Sequence, residues 1–317
     1  MISVLHNAIL MGTVFLFGSI GETITEKSGH LNLGIPGIMC AGALGGCCGI
    51  SVYASLANGN ISPVMTVCIG ILVAFLFAGA LGVLFCFLTV TLRCNQNVSG
   101  LAITTFGVGA TKFIVSILYN DYKDYLTKAS TYFKSLFSFS KDLGAFGELF
   151  LSYGILVYIA IICAIVASVL LRKTKVGLHL RAVGENPATA DAAGINVSSY
   201  RYLVTLIGSG VAGLGGLCYM FDYSGAADLI NHTIDAYGWL AIAIVIFTMW
   251  KPNLSILGSY LFGFLYQLSS IVSLNGYVID MMPYLVTIIV LIITSIFGSK
   301  NVQPPASLGL NYFREDR

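Results

Sequence analysis

Long apolar runs constrain this chain more than any other feature of its sequence. A helix needs about 20 apolar residues to cross a bilayer. Runs near that length lie at 4–22, 33–56, 63–92, 98–118, 149–171, 202–221, 235–250, 254–273 and 281–298. Only 9% of the residues are charged, against roughly 25% in soluble domains. The sequence therefore predicts an all-α fold, a single polytopic transmembrane domain over 1–317 with about nine spans, within a range of roughly eight to ten.

Two of these runs are interrupted by helix-breaking or polar residues. The second run carries Gly34, Pro36 and Gly37 near its start, and the seventh is short and follows Asn231 and Asp235. Non-helical backbone survives within a bilayer only where protein or a water-filled cavity satisfies its polar groups. One break in each half of the chain is typical of a transport pathway.

The residues around these breaks supply candidate pathway-lining side chains, which are amides, hydroxyls and aromatic rings. They are Asn32, Thr104, Thr105, Phe106, Asn231, Tyr237 and Trp239. Two alternatives stand beside this interpretation. A tryptophan such as Trp239 often anchors at the membrane interface, and a threonine within a helix often bonds its own backbone.

The polar interval 172–201 predicts a short capped helix. Asn186 suits the N-cap because its side-chain oxygen can accept from an unpaired backbone N–H, and Pro187 suits the first helical position. Gly194 stands where a left-handed residue ends a helix. About two turns are too short to be stable alone. The alanine-rich surface therefore favours docking into a groove of another protein, the alternative being an ordinary capped helix in a loop.

Charge sets the expected orientation. The interval 172–201 holds five basic and two acidic residues, so the positive-inside rule places it in the cytoplasm. The interval 119–147 is then expected to be an external loop, and its tyrosines to be interface anchors.

Several kinds of chemistry are missing from the sequence. It has no G-x-x-x-x-G-K-[ST] phosphate-binding loop, so ATP hydrolysis would need a separate subunit. The eight cysteines form no C-x-x-C pair and the four histidines are scattered, so we expect no catalytic residue, metal or cofactor in this chain. The ionisable residues inside the runs lie near run ends or breaks, which disfavours ion coupling: Glu22, Lys112, Asp222, Asp235 and Asp280.

Small residues recur every four positions in three of the runs. Gly208, Ala212 and Gly216 form one such series, and Gly42 with Gly46 forms another. The third pairs Ser259 with Gly263. Such spacing predicts close backbone packing between helices in lipid.

Four segments carry a family resemblance: GETITEKSGHLNLGIPGIMCAGA (21–43), LRCNQNVSGLAIT (92–104), GLHLRAVGENPATADAAGINVSSYRY (177–202) and IFTMWKPNLSILG (246–258). The chain resembles the inner-membrane permease subunits of bacterial ABC importers of the ribose/branched-chain amino acid type. Within them it is most similar to the smaller permease of nucleoside uptake systems. The resemblance implies that 184–195 is the coupling helix that seats in the ATPase, and that the cytoplasmic interval 172–201 is the coupling loop that carries it. Its matching positions are Gly184, Glu185, Asn186, Pro187, Ala192 and Gly194. The stretch DAYGWLAIA (235–243) departs from the family pattern.

The resemblance also implies partners. These are a cytoplasmic ABC ATPase that binds ATP and Mg, a second paralogous permease, an extracytoplasmic substrate-binding lipoprotein, and the lipid of the bacterial inner membrane. No nucleic acid is expected. The implied cargo is a small polar solute, a purine nucleoside first and a sugar or amino acid second. A secondary carrier acting without ATP and a membrane scaffold that transports nothing are the rival classes.

Overall fold

The structure is a computed structural model that describes residues 2–134, 147, 151–226, 233–268, 281, 285–289, 292 and 303–313. Its α-helices are α1 (Ile2–Glu26), α2 (Ile35–Leu56), α3 (Pro63–Cys86), α4 (Gln96–Lys134), α5 (Ile155–Lys173), α6 (Lys175–Glu185), α7 (Pro187–Ala192), α8 (Val197–Cys218), α9 (Ile234–Phe247) and α10 (Pro252–Gln267). Two π-helical turns, Phe87–Thr91 and Tyr219–Tyr223, extend α3 and α8. The predicted all-α class is confirmed.

Six helices in the described part of the chain are long and apolar enough to cross a membrane: α1, α2, α3, α4, α5 and α8. Helices α9 and α10 have 14 and 16 residues, fewer than the roughly 20 of a full crossing. Most of the predicted run 281–298 lies outside the described residues. The total of nine spans therefore remains a prediction.

Helices α1, α2 and α8 form the interior of the bundle. Their most apolar stretches are 72%, 89% and 78% buried, against 33%, 28% and 39% for α3, α4 and α5. The predicted small residues let these inner helices touch. A Cβ atom on Gly216 would lie 1.8 Å from Met39 O, and one on Gly42 would lie 2.1 Å from Gly213 O. Any side chain at either position would push the helices apart, so the small-residue prediction is confirmed.

Helix α4 includes the first part of the predicted external loop 119–147, whose residues 135–146 lie outside the described residues and whose external location stays a prediction. The helix continues past the predicted span to Lys134, for 39 residues in all, so residues 119–134 are helical. Leu126, Ala129 and Phe133 are buried at helical spacing, and the Phe133 ring stacks on Phe221 with centroids 5.1 Å apart. The apolar stripe that stabilises these turns lies among lysines, aspartates and tyrosines, which gave the segment the composition of a loop.

A buried hydrogen bond fixes the turn between α9 and α10. Trp250 Nε1 donates to Glu26 Oε2 at the end of α1, and the two side chains are only 6% and 3% exposed. Met249 and Trp250 have φ angles of +56° and +53°, in the left-handed region that costs a non-glycine residue about 1–2 kcal/mol. Burial and this bond hold the strained turn in place.

Replacing Trp250 with phenylalanine removes the indole N–H, so the buried Oε2 atom of Glu26 loses this hydrogen-bond donor. We expect Trp250→Phe to lower the free energy of unfolding by about 1–3 kcal/mol, the cost of an unsatisfied buried polar group. The matched control is Trp239→Phe, because Trp239 is the only other tryptophan and is 38% exposed. Denaturant unfolding in detergent micelles measures both, and equal effects at the two positions would contradict the prediction.

Candidate functional site

The predicted capped helix is present in the coupling loop, with the predicted caps. Asn186 Oδ1 accepts from Thr189 N at 3.0 Å, Pro187 opens α7, and Gly194 has a φ of +86°. Ala190 points inward against Val183 and Val197. Ala192, Ala193 and Gly194 are exposed, so the outward side of α7 is slim.

Gly184 and Glu185 do not belong to this helix. They end the preceding helix α6, and Gly184 is buried. A Cβ atom on Gly184 would lie 2.3 Å from Lys27 O, so this position requires glycine because another backbone passes against it. Glu185 is exposed nearby. Burial lowers the pKa of Lys27, and the charge of Glu185 acts in the opposite direction.

The backbone that meets Gly184 belongs to residues 27–34, which we call the connector because they join α1 to α2 without regular helix. Its polar groups find partners inside the protein. Leu31 N donates to Gln96 Oε1 at 2.8 Å and Asn32 N donates to Glu22 Oε1 at 3.2 Å. Thr104 Oγ1 donates to Leu33 O at 2.8 Å. The non-helical backbone of the connector is therefore satisfied by protein. The predicted break extends no further than Gly34, because α2 is regular helix from Ile35 and includes Pro36 and Gly37.

His30 fastens the middle of the connector. Its Nε2 lies 2.7 Å from Thr89 Oγ1 and its Nδ1 lies 3.0 Å from Thr205 Oγ1. Because Thr89 Oγ1 already donates to Phe85 O, Nε2 must donate and Nδ1 must accept from Thr205. Burial, with a smaller contribution from Arg201, lowers the pKa of His30 to about 3. A neutral imidazole therefore joins the connector to α3 and α8.

The connector ends where α2 meets two other helices. A Cβ atom on Gly37 would lie 2.6 Å from Thr104 Cα in α4, and one on Gly238 in α9 would lie 2.4 Å from Pro36 Cα. Residues from the two predicted interruptions thus meet at the start of α2, but Pro36, Gly37 and Gly238 all lie in regular helix. Asn231, assigned to the second break, lies outside the described residues.

The predicted pathway residues divide into a buried group and an exposed group, so they do not line one cavity. Asn32, Thr104 and Tyr237 are buried, and Tyr237 bonds Tyr266 through their hydroxyls at 2.8 Å. Phe106 is 58% and Trp239 38% exposed on the outside of the bundle. Thr105 is also exposed, and its hydroxyl donates to Leu101 O of its own helix. That bond is the alternative expected from the sequence.

The exposed group continues along one side of α4. Thr105, Gly109 and Lys112 are all exposed and recur at i, i+4 and i+7, which places them on one helix face. A Cβ atom on Gly109 would meet nothing within 4 Å. We call Thr105, Gly109 and Lys112 the outer polar face.

Comparison with known proteins identifies this arrangement. A family model described as the branched-chain amino acid transport system / permease component matches residues 4–293 of the chain. The chain belongs to this family. It is an ABC importer permease, a multi-pass membrane protein and a transport subunit rather than an enzyme. Membership implies an ATPase and a substrate-binding protein as partners. The family resemblance seen in the sequence is confirmed.

Three relatives are similar to this permease over most of their length. The nucleoside ABC transporter permease NupC of Lactococcus lactis is 31% identical, covering 98% of this chain and 96% of NupC. The guanosine ABC transporter permease NupQ of Bacillus subtilis is 31% identical over 94% of this chain and 92% of NupQ. TsgC13 of Haloferax volcanii, provisionally named a glucose ABC transporter permease, is 32% identical over 82% of this chain and 75% of TsgC13. No solved structure matches the permease significantly.

The permease also buries acidic residues that sequence reasoning placed only near a span end or did not single out. Glu22 and Glu26 are 0% and 3% exposed, one turn apart in α1. Glu22 Oε2 and Asn32 Nδ2 have no hydrogen-bond partner within the described part of the chain. The i, i+4 spacing in GETITE was the available signal, because it places both carboxylates on the face of α1 that the connector covers.

The buried imidazole makes the stability of the permease depend on pH. The pKa of His30 is about 3 in the folded state and about 6.5 in an unfolded chain. As pH falls below about 6.5, the unfolded chain gains a proton that the folded chain does not. The free energy of unfolding therefore decreases with falling pH until about pH 3. We expect His30→Gln to remove this part of the acid destabilisation. Thermal unfolding in detergent, measured above and below pH 6.5, gives the difference, and identical pH slopes for both proteins would exclude this role.

Proposed function

We propose that this permease imports a purine nucleoside, as one of two paralogous permeases driven by a cytoplasmic ATPase. The observation that carries the proposal is the full-length similarity to NupC and NupQ, whose names specify nucleoside and guanosine. A sugar is the second candidate, because TsgC13 carries a glucose name. TsgC13 covers less of this chain than NupC does, which favours the nucleoside.

The ATPase side of the proposal rests on α7. Its exposed surface consists of small side chains around Ala192 and Gly194, and a helix of six residues needs outside support to be stable. A groove on the ATPase supplies that support. ATP and Mg bind to the ATPase, because this chain has no phosphate-binding loop of its own.

Movement of the docked helix reaches the membrane interior through backbone contacts. Helix α6 directly precedes α7 in the chain, and Gly184 near its end lies against the connector at Lys27. The connector leads directly to the start of α2, where α4 and α9 meet it. Two packings of these three helices with similar free energies would give alternating access, biased by ATP on one side and by the binding protein on the other.

The substrate route is assigned to the outer polar face. Lys112 lies about 24 Å along α4 from Gln96, which places it within a hydrocarbon layer about 30 Å thick. A charged lysine exposed to lipid at that depth is energetically costly. A second permease covering this face would enclose a polar route between the two chains. In support, NupB, a second nucleoside permease of Lactococcus lactis, is 22% identical over 67% of this chain. Trp239 offers an aromatic face to the purine, and base stacking contributes about 1–3 kcal/mol in nucleic-acid binders.

A large side chain introduced on the exposed surface of α7 tests whether this helix docks to the ATPase. We expect Ala192→Trp to abolish ATP-dependent nucleoside uptake in vesicles that hold the complete importer, because the indole cannot enter a groove shaped for alanine. Ala192→Ser is the matched control and keeps uptake, since it adds only a hydroxyl at the same exposed position. Normal uptake by a well-expressed Ala192→Trp protein would remove the docking role, and uptake without ATP would favour a secondary carrier.

Labelling of single cysteines tests the route and the cargo together. In a variant lacking the eight native cysteines, Gly109→Cys should react with a hydrophilic maleimide because this position faces open space. Leu72→Cys should not react, because Leu72 is 59% exposed on the apolar helix α3, where lipid covers it. During turnover, a purine nucleoside should slow labelling at Gly109→Cys, whereas glucose should not. Protection by glucose alone would reassign the cargo, and equal labelling at both positions would move the route elsewhere.

A further inference from the structure

Residues 303–313 cross the same end of the bundle as the coupling loop, and neither the sequence nor the family match, which ends at residue 293, assigned them a role. They contain turns but no regular helix. We call them the C-terminal strap. Their hydrogen bonds reach three separate parts of the permease: the α6–α7 pair, the connector and the start of α4.

The first attachment of the strap is to α6 and α7. Ser307 N and Ser307 Oγ both donate to Gly184 O, at 3.0 and 2.6 Å. Tyr312 Oη donates to Asp191 Oδ2 at 2.8 Å, and its ring packs against the cluster formed around Ala190. Ser307 thus donates to a carbonyl that the end of α6 leaves unpaired, while Tyr312 hydrogen-bonds and packs against α7 itself.

The second attachment is to the connector and to α4. Gly309 N donates to Gly29 O at 3.3 Å. Gln96 Nε2 donates to Leu310 O at 3.2 Å, and the Oε1 atom of the same side chain accepts from Leu31 N at 2.8 Å. One glutamine at the start of α4 therefore ties the strap to the connector.

Three backbones meet where these attachments join. A Cβ atom on Gly29 would lie 2.2 Å from Ser307 Oγ and 3.3 Å from Gly184 Cα. The connector, the end of α6 and the strap are therefore packed against one another with the small Ser307 side chain at their junction. Close-packed elements transmit displacement instead of absorbing it.

From this geometry we infer that the C-terminal strap transmits movement of α7 to the connector, with Tyr312 and Ser307 as positioning residues. The inference rests on the proposed docking of α7 to the ATPase. A six-residue helix held only by its own loop would tilt when pushed. Held by Tyr312 on one side and by the Gly184 junction on the other, it carries the connector and the start of α2 along with it.

Removal of the strap contacts should uncouple ATP hydrolysis from transport. In vesicles holding the complete importer, we expect Tyr312→Phe combined with Ser307→Ala to lower nucleoside uptake several-fold while ATP hydrolysis continues, so the ATP used per solute rises several-fold. Leu310→Ala is the matched control: its side chain is 61% exposed, and the strap bond at this residue uses its backbone oxygen. A merely structural role would lower both rates in proportion to the amount of assembled complex, and that result would overturn the inference.

A cross-link provides a second test that does not depend on weakening the fold. In the variant lacking native cysteines, Asp191→Cys and Tyr312→Cys can be joined by a bis-maleimide. If the strap moves with α7, the joined protein keeps its coupled uptake. Loss of uptake on joining would mean that the strap must separate from α7, and would reject the transmission role.

The two proposals fail in different ways. Normal uptake by Ala192→Trp removes the docking of α7 and the strap's role with it. Loss of uptake in Ala192→Trp, together with an unchanged ratio of ATP to solute in the double variant, removes the strap's role alone.

Discussion

Most of residues 27–34 are buried, so their backbone polar groups need hydrogen-bond partners inside the protein. Glu22 and Gln96 accept from it, Thr104 donates to it, and His30 is held between Thr89 and Thr205. These partners belong to α1, α3, α4 and α8. The hydrogen bonds of this one short connector therefore fix the relative positions of four helices at this end of the bundle.

The interior leaves little freedom for other movements. Where Gly42 meets Gly213 and Gly216 meets Met39, the backbones are too close for any side chain. Helices packed in this way slide or rotate as units, since close-packed interiors do not deform continuously. A signal that enters at α7 is thus expected to move helices as bodies, beginning where the connector joins α2.

Part of the candidate site could be predicted from the sequence. The caps of α7 were predicted correctly, because Asn186, Pro187 and Gly194 act on the backbone next to them. The pathway residues stay a prediction, and the sequence did not determine which of them are buried. Residue type marked Thr104, Thr105 and Phe106 as polar or aromatic near a break, but neighbouring positions on a helix are about 100° apart around its axis. Thr104 consequently bonds the connector while Thr105 and Phe106 face outward.

The sequence by itself determined the membrane class, the approximate positions of the long helices apart from the extension of α4, and the local form of α7, because each follows from composition or from neighbours in the chain. The tertiary structure alone decided why Gly184 is glycine, which partners His30 has, and that Ser307 and Tyr312 hold α6 and α7. Those facts join residues as much as 175 positions apart. No local pattern encodes such pairs, because the free energy that selects them arises only when several helices bury the same polar backbone together.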